Sequence, residues 1–210
     1  MSYPTLDFER ELLEKYQVVV GIDEVGRGAL AGPVAVGAFV LTNTRLEAQP
    51  QGLRDSKLIS EPKRAAVAAE VANWGQGAVG FSSVEMIESR GISHALEAAA
   101  ASAVAKLDLT AAVILLDGSH NWLSGAPWPV ITKTKADRDC GSVAAASVLA
   151  KVARDEVMRE LAHSHSEFGW DSNKGYSSAE HIAAIRTTGP SQHHRKSWLS
   201  KILSEDQGLF

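Results

Sequence analysis

The sequence predicts an α/β fold: one mixed β-sheet flanked by helices, with a small helical part at the C-terminus. Three observations carry this. Short apolar runs of strand length, such as residues 18–22 and 111–116, are interleaved with longer helical segments, such as 92–107 and 141–163. The first two apolar runs are joined by a short Gly/Pro turn, the pattern of an antiparallel hairpin. Later runs are separated by helices, the pattern of parallel additions. The length, 210 residues, suffices for one sizeable domain with its own core.

Each element has its own warrant. Residues 1–15 mix Asp7, Glu9, Arg10, Glu11 and Glu14 with Leu6, Phe8, Leu12 and Leu13. That is an amphipathic helix rather than a signal peptide. Residues 18–22 are the first strand and 34–41, after Pro33, the second. Residues 62–74 are helical, with Pro62 at the first helical position. Residues 76–82 form a third strand carrying Gly77 and Gly80. A short helix over 84–89 stops before Gly91. Residues 92–107 are an alanine-rich helix, a composition of high helix propensity and close packing. Residues 111–116 form a fully apolar strand that ends in Asp117-Gly118, and 130–134 another strand. Residues 141–163 are a long helix, and 178–188 a later one capped by Ser177 or Ser178. The chain after Gly169 is rich in Gly, Ser and His. We divide it into a main domain, 1–168, and a C-terminal helical subdomain, 169–210.

Composition narrows the function. The net charge is −4, which argues weakly against indiscriminate nucleic-acid binding. The cations are nonetheless clustered: Lys133, Lys135, Arg138, Lys151 and Arg154 in one stretch, His193-His194-Arg195-Lys196 in another. One cysteine, Cys140, excludes an internal disulfide framework and fits a reducing cytoplasm. No apolar run is long enough to span a bilayer, and nothing demands more than a monomer.

The chemistry starts at residues 18–28, Val-Val-Val-Gly-Ile-Asp-Glu-Val-Gly-Arg-Gly. An apolar run ends in two adjacent carboxylates, Asp23 and Glu24. Buried side by side they repel and need a cation, and Mg²⁺ or Mn²⁺ suits all-oxygen donors. The glycines of Gly26-Arg27-Gly28 let backbone approach a ligand closely, and the arginine suits a phosphate. Asp117 repeats the logic at the end of a second apolar strand. Asp137 follows just before the long helix. Taken singly, Asp117-Gly118 also reads as a turn, and Asp137 and Asp139 as helix caps. Four acids at element ends can converge on two divalent ions roughly 3.5–4 Å apart, the arrangement for in-line phosphodiester attack by water.

Residues 21–28, followed by Gly32-Pro33, resemble the signature of ribonuclease HII. So do Asp55-Ser56-Lys57, Leu115-Leu116-Asp117-Gly118, Lys135-Ala136-Asp137, the segment 144–155, Lys174-Gly175-Tyr176 and His193-His194-Arg195-Lys196-Ser197-Trp198. These motifs run in order from about residue 18 to 198. The pattern departs at Asn173, Leu58-Ile59 and Trp198, where the family often has histidine, a second lysine and phenylalanine. The resemblance implies a ribonuclease H-like fold. It implies an endonuclease that cuts the RNA strand of RNA–DNA hybrids. It also implies cutting 5′ to single ribonucleotides embedded in DNA, leaving 3′-OH and 5′-phosphate ends and initiating ribonucleotide removal.

Carried over, the catalytic and metal-binding acids are Asp23, Glu24, Asp117 and Asp137. Asp155 is left out, because an i,i+4 pair with Lys151 explains it. Ser147 reads as a small helix-packing residue. Gly26, Arg27 and Gly28 are expected to address the 2′-OH, the group that separates RNA from DNA. Tyr176 is expected to pack on the neighbouring sugar, and Ser56, Lys57, Arg195 and Lys196 to contact phosphates. The tail, Gln207-Gly208-Leu209-Phe210, loosely resembles peptides that dock on the replication sliding clamp. Rival readings are a less selective metal nuclease of the same fold, a nucleotide-binding oxidoreductase and a non-catalytic hybrid reader. The oxidoreductase fails because the glycine spacing is wrong and two acids would repel a pyrophosphate.

Overall fold

The computed structural model describes residues 3–204. In chain order its elements are α1 (Asp7–Leu13), β1 (Val19–Val25), β2 (Val34–Leu41), α2 (Glu61–Trp74), β3 (Gly77–Ser82), α3 (Val84–Arg90), α4 (Ile92–Val104), β4 (Val113–Asp117), β5 (Val130–Lys133), α5 (Ala136–Asp139), α6 (Gly141–Ser164), α7 (Trp170–Asn173), α8 (Ala179–Thr188) and α9 (Ser200–Ser204). The strands form one sheet in the order β3-β2-β1-β4-β5. The β3-β2-β1 pairs are antiparallel and the β1-β4-β5 pairs parallel, the expected mixed sheet.

Side chains alternate across a strand, so each strand feeds two cores. Val20, Ile22, Val36, Ala38, Ile114 and Leu116 pack with Leu96, Ala99 and Ala103 of α4 on one face. On the other face, Phe39 and Leu41 pack with Ala145 and Val148 of α6, and Val19, Val113 and Leu115 with Val143. The helices lie close because the sheet offers no side chain under them. A Cβ on Gly21 would stand 2.4 Å from the Ser142 carbonyl carbon, and one on Gly37 2.1 Å from the Ala146 carbonyl oxygen. The alanine-rich composition of α4 and α6 is the helical half of the same fit.

Element ends differ from expectation in informative ways. β1 continues through Val25 rather than stopping at Ile22, because β2 pairs with it along its whole length, from Val19–Leu41 to Val25–Ala35. The two acids therefore lie inside the sheet. Ser60 is the cap residue of α2, so Pro62 stands second rather than first. Asp137 and Asp139 do not cap α6: both lie in α5, which Lys135 initiates from a left-handed conformation (φ 62°). The α6 N-terminus is met instead by Glu9, whose Oε1 accepts from the Ser142 amide and hydroxyl, both at 2.8 Å.

The C-terminal elements share a further apolar cluster. Phe168, Trp170, Ile185 and Leu199 pack there with Met158 and Ala162 of α6 and with Leu30 and Ala31 from the β1–β2 loop. The elements after Gly169 are thus built onto the loop that follows the paired acids. The tail motif at 207–210 lies outside the described residues. Among the described residues no helix is long and apolar enough to cross a membrane.

The close helix–sheet approach has a measurable consequence. Gly37→Ala should lower the thermal midpoint substantially, since backbone rather than a flexible side chain blocks the added methyl. Overpacking of this kind costs about 1–3 kcal/mol or more. An unchanged midpoint in thermal melts would refute the close contact.

Candidate active site

Strand parity brings the acids together. Along β1, Val19, Gly21 and Asp23 share the face toward α6; along β4, Val113, Leu115 and Asp117 share it. The parallel register pairs Ile22 with Leu116, so Asp23 and Asp117 come next on neighbouring strands, which run about 4.8 Å apart. Asp137 arrives from α5, and its amide donates to Asp117 Oδ1 at 3.3 Å. Glu24 points to the other side and meets the Arg27 guanidinium at 3.1 Å.

Lys57 joins this group from the turn after Asp55. Its Nζ is 3.7 Å from Asp137 Oδ2 and 4.0 Å from Asp55 Oδ1. Burial works to lower the Lys57 pKa, but Asp55, Asp23, Asp137 and Asp117 outweigh it and hold the ammonium charged. Asp55 is a further acid of the cluster that the sequence reading quoted in a motif but assigned no role. Its carboxylate also accepts from the Lys57 amide at 3.0 Å, the turn-capping habit of aspartate.

The carboxylates are held at a cost. Burial, then the charge of Glu24, pushes the Asp23 pKa well above the ordinary range, against a hydrogen bond from Ser147. Asp23 Oδ2 is buried without a hydrogen-bond partner. Burial, then Asp117 and Asp55, pushes Asp137 up to about 6 despite Lys57. An all-oxygen donor set with an orphaned buried oxygen fits a hard divalent cation. No three His, Cys, Asp or Glu side chains among the described residues converge as a ready-made cage.

Beside the acids lies a cleft of about 360 Å³, lined by Glu24, Gly26, Arg27, Gly28, Ser56, Lys57, Lys151 and Tyr176 among others. Its glycine wall is fastened from behind by two buried arginines. Arg195 donates to the carbonyls of Gly26 (2.7 Å), Arg27 (2.8 Å) and Gly32 (3.0 Å). Arg154 donates to Pro33 (2.8 Å), Lys174 (2.9 Å) and Ala31 (3.0 Å). With no cis peptides in the described chain, N–H and C=O of each unit point opposite ways. The inward carbonyls of Gly26 and Arg27 therefore turn the amides of Arg27 and Gly28 away from Arg195. Gly26 has φ 85°, and a Cβ there would meet the Arg154 side chain at 2.0 Å. Gly28 has open space around it. Tyr176, 37 % exposed, accepts from the Gly26 amide through its hydroxyl at 3.1 Å, with the Arg154 guanidinium 5.5 Å from its ring centroid.

Most expected site residues meet here: Asp23, Glu24, Asp117, Asp137, Gly26, Arg27, Gly28, Lys57 and Tyr176. Two expected phosphate contacts are placed otherwise. Arg195 is fully buried, with its guanidinium consumed by backbone carbonyls, so it shapes the loop instead. Ser56 borders the cleft but is almost fully buried, and its hydroxyl is 2.9 Å from that of Ser147. Lys196 is exposed, one residue beyond Arg195. Asp155 is buried against Lys151 (2.6 Å) and Arg64 (3.5 Å), the ion pair expected of it. Ser147 does more than pack, since it bridges Ser56 and Asp23. In the sequence, Arg154 belongs to a basic cluster and to the motif over 144–155. Nothing local distinguishes a surface cation from one that ends under a loop 121 positions away.

A larger cavity of about 480 Å³, between α4 and the loops flanking β4, is lined mainly by Ala, Leu and Ile side chains and lies apart from the acids.

Comparisons with known proteins place the fold and the family. The model of the family described as ribonuclease HII matches residues 20–201. The chain is 45 % identical over 198 residues to "Ribonuclease HII" of Streptomyces coelicolor, covering 93 % of this chain and 83 % of that one. Among solved structures, ribonuclease H2 of Pyrococcus horikoshii superposes with a TM-score of 0.75 at 23 % identity, covering 91 % of this chain and 100 % of that one. The Archaeoglobus fulgidus ribonuclease HII, solved as a PCNA complex, gives 0.69 at 25 % identity, covering 86 % and 95 %.

The raised carboxylate pKa values imply a stability signature. A folded acid with a raised pKa binds protons that the unfolded chain has released, so stability falls as pH rises through that window. In EDTA, Asp137→Asn should melt higher than wild type near pH 7.5, above its value of about 6. The advantage should vanish near pH 4, where unfolded aspartate also titrates. A lower midpoint at the higher pH would contradict the crowding of charge.

Proposed function

This chain belongs to the ribonuclease HII family, and on that premise we propose that Asp23, Glu24, Asp117 and Asp137 hold the divalent metal with which it cuts 5′ to ribonucleotides in duplex DNA. Membership makes the chain a ribonuclease H, a phosphodiester hydrolase that acts on RNA–DNA hybrids and depends on a divalent metal. The observation that carries the finer reading is the junction of two features. Buried, charge-frustrated carboxylates stand on adjacent strands, and a glycine loop with outward amides opens beside them.

Two bound ions, Mg²⁺ or Mn²⁺, would supply an activated water and neutralise the leaving oxygen. The residues of the chain do the rest. Burial and the repulsion of neighbouring carboxylates disfavour the bare Asp23 and Asp137 anions, so their protons would be displaced to solvent on binding of a cation in their place. Lys57 keeps a positive charge beside Asp55 and Asp137 and faces the cleft, where an incoming phosphate would draw it. The Arg27 and Gly28 amides meet the sugar edge that differs between RNA and DNA, and the absence of a side chain at Gly28 permits that approach. The partly exposed Tyr176 ring packs on the adjacent sugar. Lys196 contacts phosphate outside the cleft. In this reading, residues 169–210 form the subdomain that completes the substrate site by supplying Tyr176.

A DNA duplex with one embedded ribonucleotide, beside an all-DNA control, tests this. Wild type with Mg²⁺ or Mn²⁺ should give one cut, 5′ to the ribonucleotide, abolished by EDTA, with the control intact. Asp23→Asn and Asp117→Asn should lose at least about a thousandfold of that rate while folding normally. Cutting of both duplexes would remove the sugar-reading role of the loop, and full activity in both variants would remove the metal assignment.

The tail 207–210 is proposed to dock on a sliding clamp, a reading supported by the archaeal relative solved with PCNA. Clamp capture by the full chain but not by one ending at Asp206 is the expected result. Equal capture by both would end the proposal.

A further inference from the structure

Behind Tyr176 lies a buried histidine pair that the reaction does not use. His181 of α8 and His194 are 0 % and 1 % exposed, with Nε2 atoms 3.1 Å apart. Every hydrogen bond around them assigns a proton. His181 Nδ1 is 2.8 Å from the Tyr176 carbonyl, which can only accept, so Nδ1 carries hydrogen. His181 Nε2 is 2.9 Å from Trp170 Nε1, which can only donate, so Nε2 is bare. His194 Nδ1 receives the Ser191 amide at 3.0 Å, so the neutral ring carries its hydrogen on Nε2 and donates it to His181.

From these contacts we propose that His181 and His194 form a neutral, tautomer-locked relay that positions Tyr176 against Gly26. His181 is the positioning residue, acting through the Tyr176 carbonyl. One end of the relay is tied to the Ser191 turn. The other ends at the Tyr176 carbonyl, on the residue whose hydroxyl accepts from the Gly26 amide at 3.1 Å. The same C-terminal strip fastens the glycine loop directly, through Arg195 N to Leu30 O (2.8 Å) and Gly32 N to His193 O (2.8 Å).

The surroundings keep the pair uncharged. Burial first, then His181, His165, His193 and Lys196, lowers the His194 pKa to about 4, and burial lowers that of His181. Phe168 meets the His194 ring edge-on and Trp170 meets it tilted, with centroids 4.6 Å and 5.3 Å away. A proton on His181 Nε2 would face two donors, and one on His194 Nδ1 would face an amide. The relay therefore has one arrangement, which suits a part that sets a side chain's place.

The inference rests on the proposed contact of Tyr176 with the substrate sugar, and the test separates the two. Single-turnover and steady-state cleavage of the one-ribonucleotide duplex is compared for wild type, His181→Asn, His181→Gln, Tyr176→Ala and His181→Gln with Tyr176→Ala. Asparagine places an N–H near the Nδ1 position and glutamine does not. His181→Asn should stay within a few-fold of wild type. His181→Gln should lose about tenfold to a hundredfold in kcat with KM little changed, as for a misplaced contact. In the Tyr176→Ala background it should lose nothing more.

Multiplying losses in the double variant, or wild-type rates in His181→Gln beside an impaired Tyr176→Ala, would overturn the relay. Wild-type rates in Tyr176→Ala would overturn the sugar contact and the relay with it. Imidazole ¹⁵N NMR of the wild-type chain gives an independent reading. His181 as the Nδ1–H form and His194 as the Nε2–H form are expected, and the opposite tautomers overturn the proposal even where a variant fails to fold.

Discussion

Two guanidinium groups hold the working face of this molecule in place. Arg154 and Arg195 are fully buried, and both end on carbonyl oxygens of the segment from Gly26 to Pro33 and its neighbours. A loop with inward-turned carbonyls would be costly beneath apolar side chains, because buried polar groups need partners. Arginine answers with five donors in a rigid fork. Burying the two charges is costly as well; desolvation, and the proximity of Arg154, bring Arg195 down to about 10. The carbonyls and the guanidinium groups satisfy one another. The amides opposite those carbonyls are thereby turned the other way.

The carboxylate cluster is built on the reverse principle. Its members are pressed together by strand register and helix placement, with Lys57 as a nearby cation and the Ser147 hydroxyl as support. The scaffold that imposes this crowding is stiff. Gly21 and Gly37 bring α6 onto the sheet, and Asp23 lies two residues beyond Gly21 on the same face. Repulsion stored at such a site is relieved by a bound cation, so binding and relief of strain become one event.

The C-terminal elements tie these parts together. Gly175 accepts from the Leu30 and Ala31 amides, Lys174 offers its carbonyl to Arg154, and His194 bridges to Ala31. Lys174 adopts φ 52°, an unusual conformation for a side chain of its size, and its ammonium is 3.1 Å from Glu61 Oε1 of α2. Asn173, a departure from the family pattern, accepts from the Gly175 amide at 2.8 Å and donates to the Phe168 carbonyl at 2.7 Å. The residue can hold this turn because an amide side chain both donates and accepts.

Much of this was legible in the chain itself. Period and length gave the strands and helices, and the hairpin-then-crossover order gave the mixed sheet, because those signals are local. Asp23 and Glu24 stood out because two acids directly after an apolar run lack a packing role, and Asp117 and Asp137 joined them through the family motifs rather than singly. What local pattern could not show was which neighbour a side chain meets. Arg195 sits in a basic run that reads as a phosphate contact, yet it closes on a loop 169 positions away. Ser56 is expected to contact phosphate, yet it is buried with its hydroxyl on Ser147. Asp55 stands in the sequence only within a motif, yet it faces Asp137 across Lys57. Sequence alone determined the elements, their order and the acids, since each rests on periodicity or composition within one segment. Only the tertiary structure decided which cations face the cleft and which are spent on backbone, because a charge goes where distant carbonyls and carboxylates are brought by packing.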